Sequence, residues 1–446
     1  MQNFRLFGTD GIRGIAGKEL TPEFSLKLGL SSAHVLMKDK RKVVLGRDSR
    51  ISGDMLSQAL SSGLMALGVD VHDAHIIPTP AVSMLTAKYG FDFGVVCSAS
   101  HNPVEDNGFK FFDSNGFKIS EEDEDLIELN LGMTNLIARS PGVSVGKLYD
   151  FSEAQSHYIE YLIEKYPFNL DNFSLVIDTA YGATSMVAPE VFRRLGAKVV
   201  VVHGEFNGNL INVNCGSTNP QKMQKVIIEN NADVGFAFDG DGDRVIVVDE
   251  KGEVLNGDHL LAIIASNMIN SSRLANPTVV GTVLTNQGLE VIFNKLGVNL
   301  IRVDVGDRNI VQTLRNKQLL LGGERSGHLV IMDKSSTGDG IITSLELLNA
   351  LSSSGTPLSK LKTILNEYPQ GEINHRTSKK HELLRNPKLQ EYVEEINKEL
   401  GVRGRIVIRA SGTEPMIRVM VEAKENEVIN PIINKIMSRI LEIEEE

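Results

Sequence analysis

Three stretches of this chain carry the same hydrophobic rhythm: an apolar β-branched run, a polar Gly/Ser/Thr/Asn loop, a helical stretch, then Leu-Gly and another apolar run. They are residues 43–71 (VVLGRDSRISGDMLSQALSSGLMALGVDV), 175–201 (LVIDTAYGATSMVAPEVFRRLGAKVVV) and 279–303 (VVGTVLTNQGLEVIFNKLGVNLIRV). Each helix is predicted to end at a glycine in the same phase, Gly68, Gly196 or Gly297. A left-handed terminal residue favours glycine and lets the next strand turn back onto the sheet. Units of this kind predict right-handed crossovers and a largely parallel sheet covered by helices, each unit heading one of three related α/β domains.

The pattern weakens over 137–150, a Pro/Gly/Ser mixture leading into an amphipathic stretch at 153–166. Lys251-Gly252 reads as a turn after a strand at 245–249, and 368–380 is polar. Beyond it come a glutamate/lysine-rich helix, a strand around Ile406 and a final helix ending in acids. The expected domains are therefore 1–152, 153–252, 253–368 and a shorter α+β cap, 369–446. Composition adds exclusions. The net charge of −11 lacks the basic excess a general nucleic-acid binder needs, though it leaves room for a local phosphate pocket. No apolar run approaches the roughly 18 residues of a membrane span, and 1–14 lacks a signal-peptide pattern. Two cysteines, Cys97 and Cys215, supply neither a disulfide framework nor a four-cysteine zinc site. The expectation is a cytoplasmic protein without nucleic-acid or membrane partners, a monomer or homodimer.

Chemistry is concentrated in a few loops. Asp239-Gly240-Asp241-Gly242-Asp243-Arg244 lies between two apolar runs, and its glycines let three carboxylates converge. Hard oxygen donors in that number suit Mg²⁺, and the distal glutamate of an EF-hand is missing. Cys97-Ser98-Ala99-Ser100-His101-Asn102-Pro103 follows the run 93–96. A serine there fits a nucleophile or phosphate carrier, or else a polar loop capping a helix; no G-x-S-x-G elbow exists. Lys110 stands between aromatics in Asn107-Gly108-Phe109-Lys110-Phe111-Phe112. It reads either as a desolvated acid/base group of lowered pKa or as an exposed strand position. Gly322-Gly323-Glu324-Arg325-Ser326-Gly327-His328 offers a carboxylate, a hydroxyl and an imidazole suited to sugar hydroxyls, or is a glycine-rich turn. Arg409-Ala410-Ser411-Gly412-Thr413-Glu414-Pro415-Met416-Ile417-Arg418 combines backbone amides, hydroxyls and two arginines into an anion nest. Together these point to phosphoryl transfer on a phosphosugar held between domains.

In these motifs and their order the chain resembles the α-D-phosphohexomutase superfamily over essentially its whole length: SASHNP at 98–103, DGDGDR at 239–244, GGERSGH at 322–328 and RASGTEPMIR at 409–418. LFGTDGIRG at 6–14, Ser98 before Ala99 and Val305-Gly306-Asp307-Arg308 resemble the bacterial phosphoglucosamine mutase branch most closely. The resemblance implies three related mixed-sheet α/β domains and a smaller α+β C-terminal domain around a central cleft. It implies interconversion of glucosamine 6-phosphate and glucosamine 1-phosphate toward UDP-N-acetylglucosamine and peptidoglycan precursors. Ser100 would carry the phosphate, and Mg²⁺ would be held by Asp239, Asp241, Asp243 and an oxygen on Ser100. A glucosamine 1,6-bisphosphate would be the intermediate, with glucose or glucosamine 1,6-bisphosphate as activator. Arg409, Ser411, Gly412, Thr413 and Arg418 would hold the non-reacting phosphate. Glu324 and Ser326 would grip the sugar, with Asp307 and Arg308 in the substrate set. Arg13, Lys110 and Arg244 would supply cations, and Lys110, His101 and His328 compete for the proton-transfer role. One departure is Arg325, where this branch typically has glutamine; an added cation beside the ligand disfavours a protonated amine. Phosphoglucomutase or phosphomannomutase, a Mg²⁺-dependent phosphosugar phosphatase and a non-catalytic sugar-phosphate binder are the alternatives.

Overall fold

The apolar runs become strands of four sheets in the computed structural model, which describes residues 5–411 and 415–445. The first sheet contains β1 (Ile12–Ile15), β2 (Lys42–Arg47), β3 (Asp70–Ile76), β4 (Phe93–Cys97), β5 (Asp106–Asp113) and β6 (Leu148–Asp150), ordered β1-β5-β4-β2-β3-β6. The second contains β7 (Ser174–Asp178), β8 (Lys198–Val202), β9 (Val234–Phe238), β10 (Val245–Asp249) and β11 (Val254–Leu255), ordered β11-β10-β9-β7-β8. The third contains β12 (Thr278–Thr282), β13 (Asn299–Val303), β14 (Leu321–Gly323) and β15 (Leu329–Ile331), ordered β13-β12-β14-β15.

These three sheets share one plan. The first strand of each repeat, β2, β7 or β12, lies parallel to a neighbour on either side. An antiparallel strand, β5, β10 or β15, then follows on the same edge. The sheets are therefore mixed, and the largely parallel sheet read from the repeats alone is corrected. The connections 98–105, 239–244 and 324–328 are too short for a parallel crossover, which needs roughly a dozen residues, so the chain must return antiparallel. Gly68, Gly196 and Gly297 have φ of +79°, +103° and +71°, the left-handed geometry their shared phase predicts. Strands β4, β9 and β10 are buried along their whole length, which is why they read as unbroken apolar runs rather than alternations.

The 137–150 segment holds more structure than its composition suggests, because Leu148–Asp150 adds β6 to the edge of the first sheet, parallel to β3. All three of its residues are exposed, so it carries no apolar signature. A fourth, wholly antiparallel sheet comprises β16 (Gln370–Arg376), β17 (Gly404–Ala410) and β18 (Met416–Ala423), ordered β16-β18-β17. The helix Ile429–Glu445 buries one isoleucine-rich face, Ile429, Ile432, Ile433, Ile436, Ile440 and Ile443. One apolar cluster runs through the first three units, joining Val44, Leu175, Phe238, Val279 and Leu345, whereas the last unit has its own, drawn from residues 383–443. Among the described residues no helix is long and apolar enough to cross a membrane.

Candidate active site

The chemistry-bearing loops occupy the same place in each repeated unit, the hairpin joining the last parallel strand to the antiparallel one. SASHNP lies between β4 and β5, DGDGDR between β9 and β10, and the Glu324–His328 loop between β14 and β15.

Ser100 is fully buried and sits at φ +53°, a costly conformation for a residue with a Cβ. Its surroundings hold it there. The Ser98 hydroxyl accepts from Ser100 N at 2.9 Å and donates to Asp48 Oδ2 at 2.5 Å. Asp48 also pairs with Arg50 at 3.0 Å, and Arg50 donates to the carbonyls of Ser100, Asn102, Pro103 and Asp106. Asn212, from the second unit, donates to the Ser100 carbonyl at 2.8 Å. Gly240 faces that carbonyl so closely that a Cβ there would lie 2.7 Å from the oxygen. Ser100 Oγ is thereby aimed at Asp239, donating to Oδ2 at 2.6 Å, with His101 Nδ1 at 3.1 Å.

Asp239, Asp241 and Asp243 are buried and bring one carboxylate oxygen each within 4.8 Å of the others. Asp239 Oδ1 is fixed by the amides of Gly242 and Arg244, both at 3.1 Å. Asp241 Oδ2 accepts from Thr79 Oγ1 at 2.6 Å and Lys110 Nζ at 2.8 Å. Lys110 also reaches Asp243 Oδ2 at 2.9 Å and Asp10 at 3.1 Å. The remaining oxygens, Asp241 Oδ1 and Asp243 Oδ1, are buried without a hydrogen-bond partner. Two orphaned carboxylate oxygens beside Asp239 and a serine oxygen form an all-oxygen donor set, which fits a hard divalent cation.

Charge in this pocket is arranged by burial and neighbours. Burial first, then Asp243 and Asp241, pushes the Asp239 carboxyl well above its usual range. Burial acts the same way on Asp243, but Lys110 overrides it and His328 adds to the pull, bringing the group to about 2. Neither reading of Lys110 holds: it is buried rather than exposed, and although burial favours its neutral form, Asp10, Asp241 and Asp243 outweigh it and raise the ammonium well above its normal value. Lys110 is a fixed cation, not a proton acceptor. His101 is pushed down to about 4 by burial, Arg244 and Arg13, so its ring is neutral near pH 7. Arg244 Nε lies 3.7 Å from Asp243, and Arg13 donates to Asn102 Oδ1 at 2.7 Å while pairing with Asp10.

The third unit joins through Lys118, which bridges Asp10 at 2.5 Å and Asp307. His328 is buried 3.7 Å from Asp307 with neither ring nitrogen hydrogen-bonded. Arg308 directs both terminal nitrogens at Glu124 of the first unit. Glu324 Oε1 accepts from Gly306 N at 3.1 Å, and the Ser326 hydroxyl is buried without a partner. Arg325 turns to Glu367 and Asp258. On the fourth sheet Arg409 and Arg418 face each other across β17 and β18. Burial, then Arg418, lowers the Arg409 pKa, a crowding of like charge that an anion relieves. Lys380 donates to the Ser411 carbonyl at 2.7 Å; Gly412 and Thr413 lie outside the described residues.

Sequence reasoning assigned no role to Asp10, Asp48, Arg50, Thr79, Lys118 or Asn212. Asp10 was in plain sight within LFGTDGIRG, and Asp48-Ser49-Arg50 forms the polar loop of the first repeat. The others carry no local signal, since their partners lie more than a hundred residues away in sequence.

Four family profiles match: phosphoglucomutase/phosphomannomutase alpha/beta/alpha domain I over residues 5–134, domain II over 156–252, domain III over 256–368 and the C-terminal domain over 372–438. Among curated relatives, the phosphoglucosamine mutase of Natranaerobius thermophilus is 43% identical over 431 residues, 96% of this chain and 97% of the relative. That of Clostridioides difficile is 43% identical over 443 residues, covering 98% and 99%. Among solved structures, a phosphoglucomutase/phosphomannomutase family protein from Burkholderia thailandensis superposes with a TM-score of 0.83 at 25% identity, covering 98% of this chain and 97% of that one. Aspergillus fumigatus N-acetylphosphoglucosamine mutase superposes at 0.68 with 17% identity, covering 97% and 94%. With all four profiles matched in order along it, the chain belongs to the phosphoglucomutase/phosphomannomutase family, the α-D-phosphohexomutases.

Proposed function

We propose that this chain is a phosphoglucosamine mutase, interconverting glucosamine 6-phosphate and glucosamine 1-phosphate through a phosphoserine at Ser100 and glucosamine 1,6-bisphosphate. The observation that carries this reading is the 2.6 Å approach of Ser100 Oγ to Asp239 within a buried carboxylate triplet. Full-length relatives named phosphoglucosamine mutase support the choice of sugar.

Asp239, Asp241, Asp243 and the Ser100 oxygen would hold Mg²⁺, which supplies charge neutralisation to the transferring phosphoryl group. The remaining stabilisation comes from the chain. Arg244 and Arg13 both lie close enough to act on His101 in the serine loop, and Lys110 balances the carboxylates, so positive charge is in place before the reaction begins. When the phosphoryl group leaves Ser100 for a sugar hydroxyl, its P–O bond to serine breaks, one to the sugar oxygen forms, and the hydroxyl proton needs an acceptor. We assign that role to His101, whose neutral ring lies 3.1 Å from Ser100 Oγ, over Lys110, which is already charged, and His328. Glu324 and Ser326 present a carboxylate and an unpartnered hydroxyl to the sugar. The amino-sugar reading is compatible with Arg325, because that guanidinium is engaged by Glu367 and Asp258. Arg409, Ser411 and Arg418, with Gly412 and Thr413, take whichever phosphate is not reacting, which lets one pocket serve both half-reactions.

The test is turnover of glucosamine, glucose and mannose 6-phosphates with Mg²⁺ and a 1,6-bisphosphate activator. Glucosamine 1-phosphate formed fastest, without free phosphate, supports the assignment. Stoichiometric phosphate release makes the protein a phosphatase, and preference for glucose or mannose phosphate moves it to another branch.

A further inference from the structure

At the ends of β7 and β8, in the second unit, a separate group of donors converges. Asp178 closes β7, His203 directly follows β8, and Cys215 lies just before the short helical turn Gly216–Thr218. One ligand atom from each lies within 4.8 Å of the other two. Both Asp178 oxygens are positioned by the backbone, accepting from Ala180 N at 2.9 Å and Gly216 N at 3.0 Å. The His203 side chain is only 7% exposed, and its Nδ1 points at Asp178 Oδ1 from 3.0 Å without an aligned hydrogen bond. The buried imidazole Nδ1 thus faces a carboxylate and a thiol without a completed hydrogen bond. The Cys215 side chain is buried, its sulfur 3.7 Å from the Leu210 carbonyl. None of these residues takes part in the chemistry described above.

We propose that Asp178, His203 and Cys215 form a second metal site, taking a borderline divalent cation of the zinc class, distinct from the oxygen-only aspartate triplet. One sulfur, one nitrogen and one oxygen donor match the ligand preference of such ions, whereas Mg²⁺ requires oxygen donors in octahedral array. Three protein ligands leave a fourth position for water. Binding exchanges the thiol proton for the metal: the S–H bond breaks, a sulfur–metal bond forms, and the proton goes to solvent. Burial, then Asp178, pushes the Cys215 thiol up to about 12, so it stays protonated until a cation arrives.

The site has a structural purpose. Its ligands His203 and Cys215 bound the segment 204–214, and that segment carries Asn212, which donates to the carbonyls of Ser100 at 2.8 Å and Asn102 at 3.4 Å. An ion gripping both ends stiffens the support under the reactive serine.

Cobalt(II) titrated into the Mg²⁺-saturated full-length protein reads the site directly, because a thiolate–cobalt bond gives a charge-transfer absorption that the aspartate triplet cannot give. The expected result is one equivalent of cobalt with that band, displaced by zinc. The chain has only two cysteines. The band is lost in Cys215→Ser and retained in Cys97→Ser, and His203→Gln, which keeps the thiol, weakens zinc binding at least about tenfold. Circular dichroism of the variants separates loss of the site from loss of fold. No band in the Mg²⁺-saturated protein, a band surviving Cys215→Ser, or unchanged zinc affinity in folded His203→Gln overturns the proposal.

Discussion

Buried side chains around Ser100 set the reactivity of this protein one at a time. Replacing Ser100 with alanine removes the proposed phosphate carrier while leaving its loop held by Arg50 and Asn212. Mutase turnover should fall by about 10³-fold or more with the melting temperature nearly unchanged, measured by a coupled assay and thermal denaturation. Lys110 has a different role. Lys110→Met leaves Asp241, Asp243 and Asp10 without their shared cation, and unfolding in urea should show a loss of about 3–5 kcal/mol. An unchanged denaturation midpoint would contradict that role. The sequence shows Lys110 between two aromatics and leaves open a desolvated lysine of lowered pKa or an exposed strand position; it is instead buried with a raised pKa. Strand alternation reveals that a lysine is flanked by apolar residues; it is silent on the carboxylates that two other loops bring within 3.1 Å. The clustering of the three aspartates, by contrast, was readable because all of them lie within five consecutive residues.

Helix and hairpin ends show where a single element depends on one group. The helix Gly340–Ser354 begins at Asp339, whose Oδ1 accepts from the amides of Ile341 and Ile342, both at 2.9 Å, while Tyr158 donates to Oδ2 at 2.5 Å. Burial, opposed by Tyr158 and the two amides, leaves this carboxyl raised to about 6. A carboxyl raised in the folded state contributes stability that is complete below about pH 4 and lost as pH climbs through about 6, a change of about 3 kcal/mol. Asp339→Asn keeps an acceptor for the cap and removes the titration, so urea unfolding compared at pH 4.5 and 7 should show a smaller decline in the variant. An identical slope in the two proteins refutes this assignment. At this scale the sequence was most legible where geometry repeats: three glycines in one phase marked three helix ends. It was least legible at β6, whose exposed residues pair through backbone alone.

The whole molecule divides mechanically in two. Three units share a continuous apolar cluster, whereas the C-terminal unit packs on a core of its own and meets the third unit through polar contacts, Gln287 N to Glu422 Oε1 at 2.5 Å and Asn286 Nδ2 to Glu422 Oε2 at 3.3 Å. Calorimetry should therefore resolve an early transition for residues 369–446 ahead of the rest; one concerted transition excludes such independence. Arg418→Ala should raise KM by about 10- to 100-fold with kcat within about threefold, since a lost charge-assisted hydrogen bond contributes about 1.5–3 kcal/mol. Unchanged KM would remove Arg418 from the phosphate pocket.

The carbonyl of Ser100 is tethered from two directions, by Arg50 of its own unit and Asn212 of the next. Such a post cannot swing after a departing group. In the proposed reaction, reversing which end of the sugar meets the serine is thus left to the bisphosphate, which would turn about while the serine stays where it is.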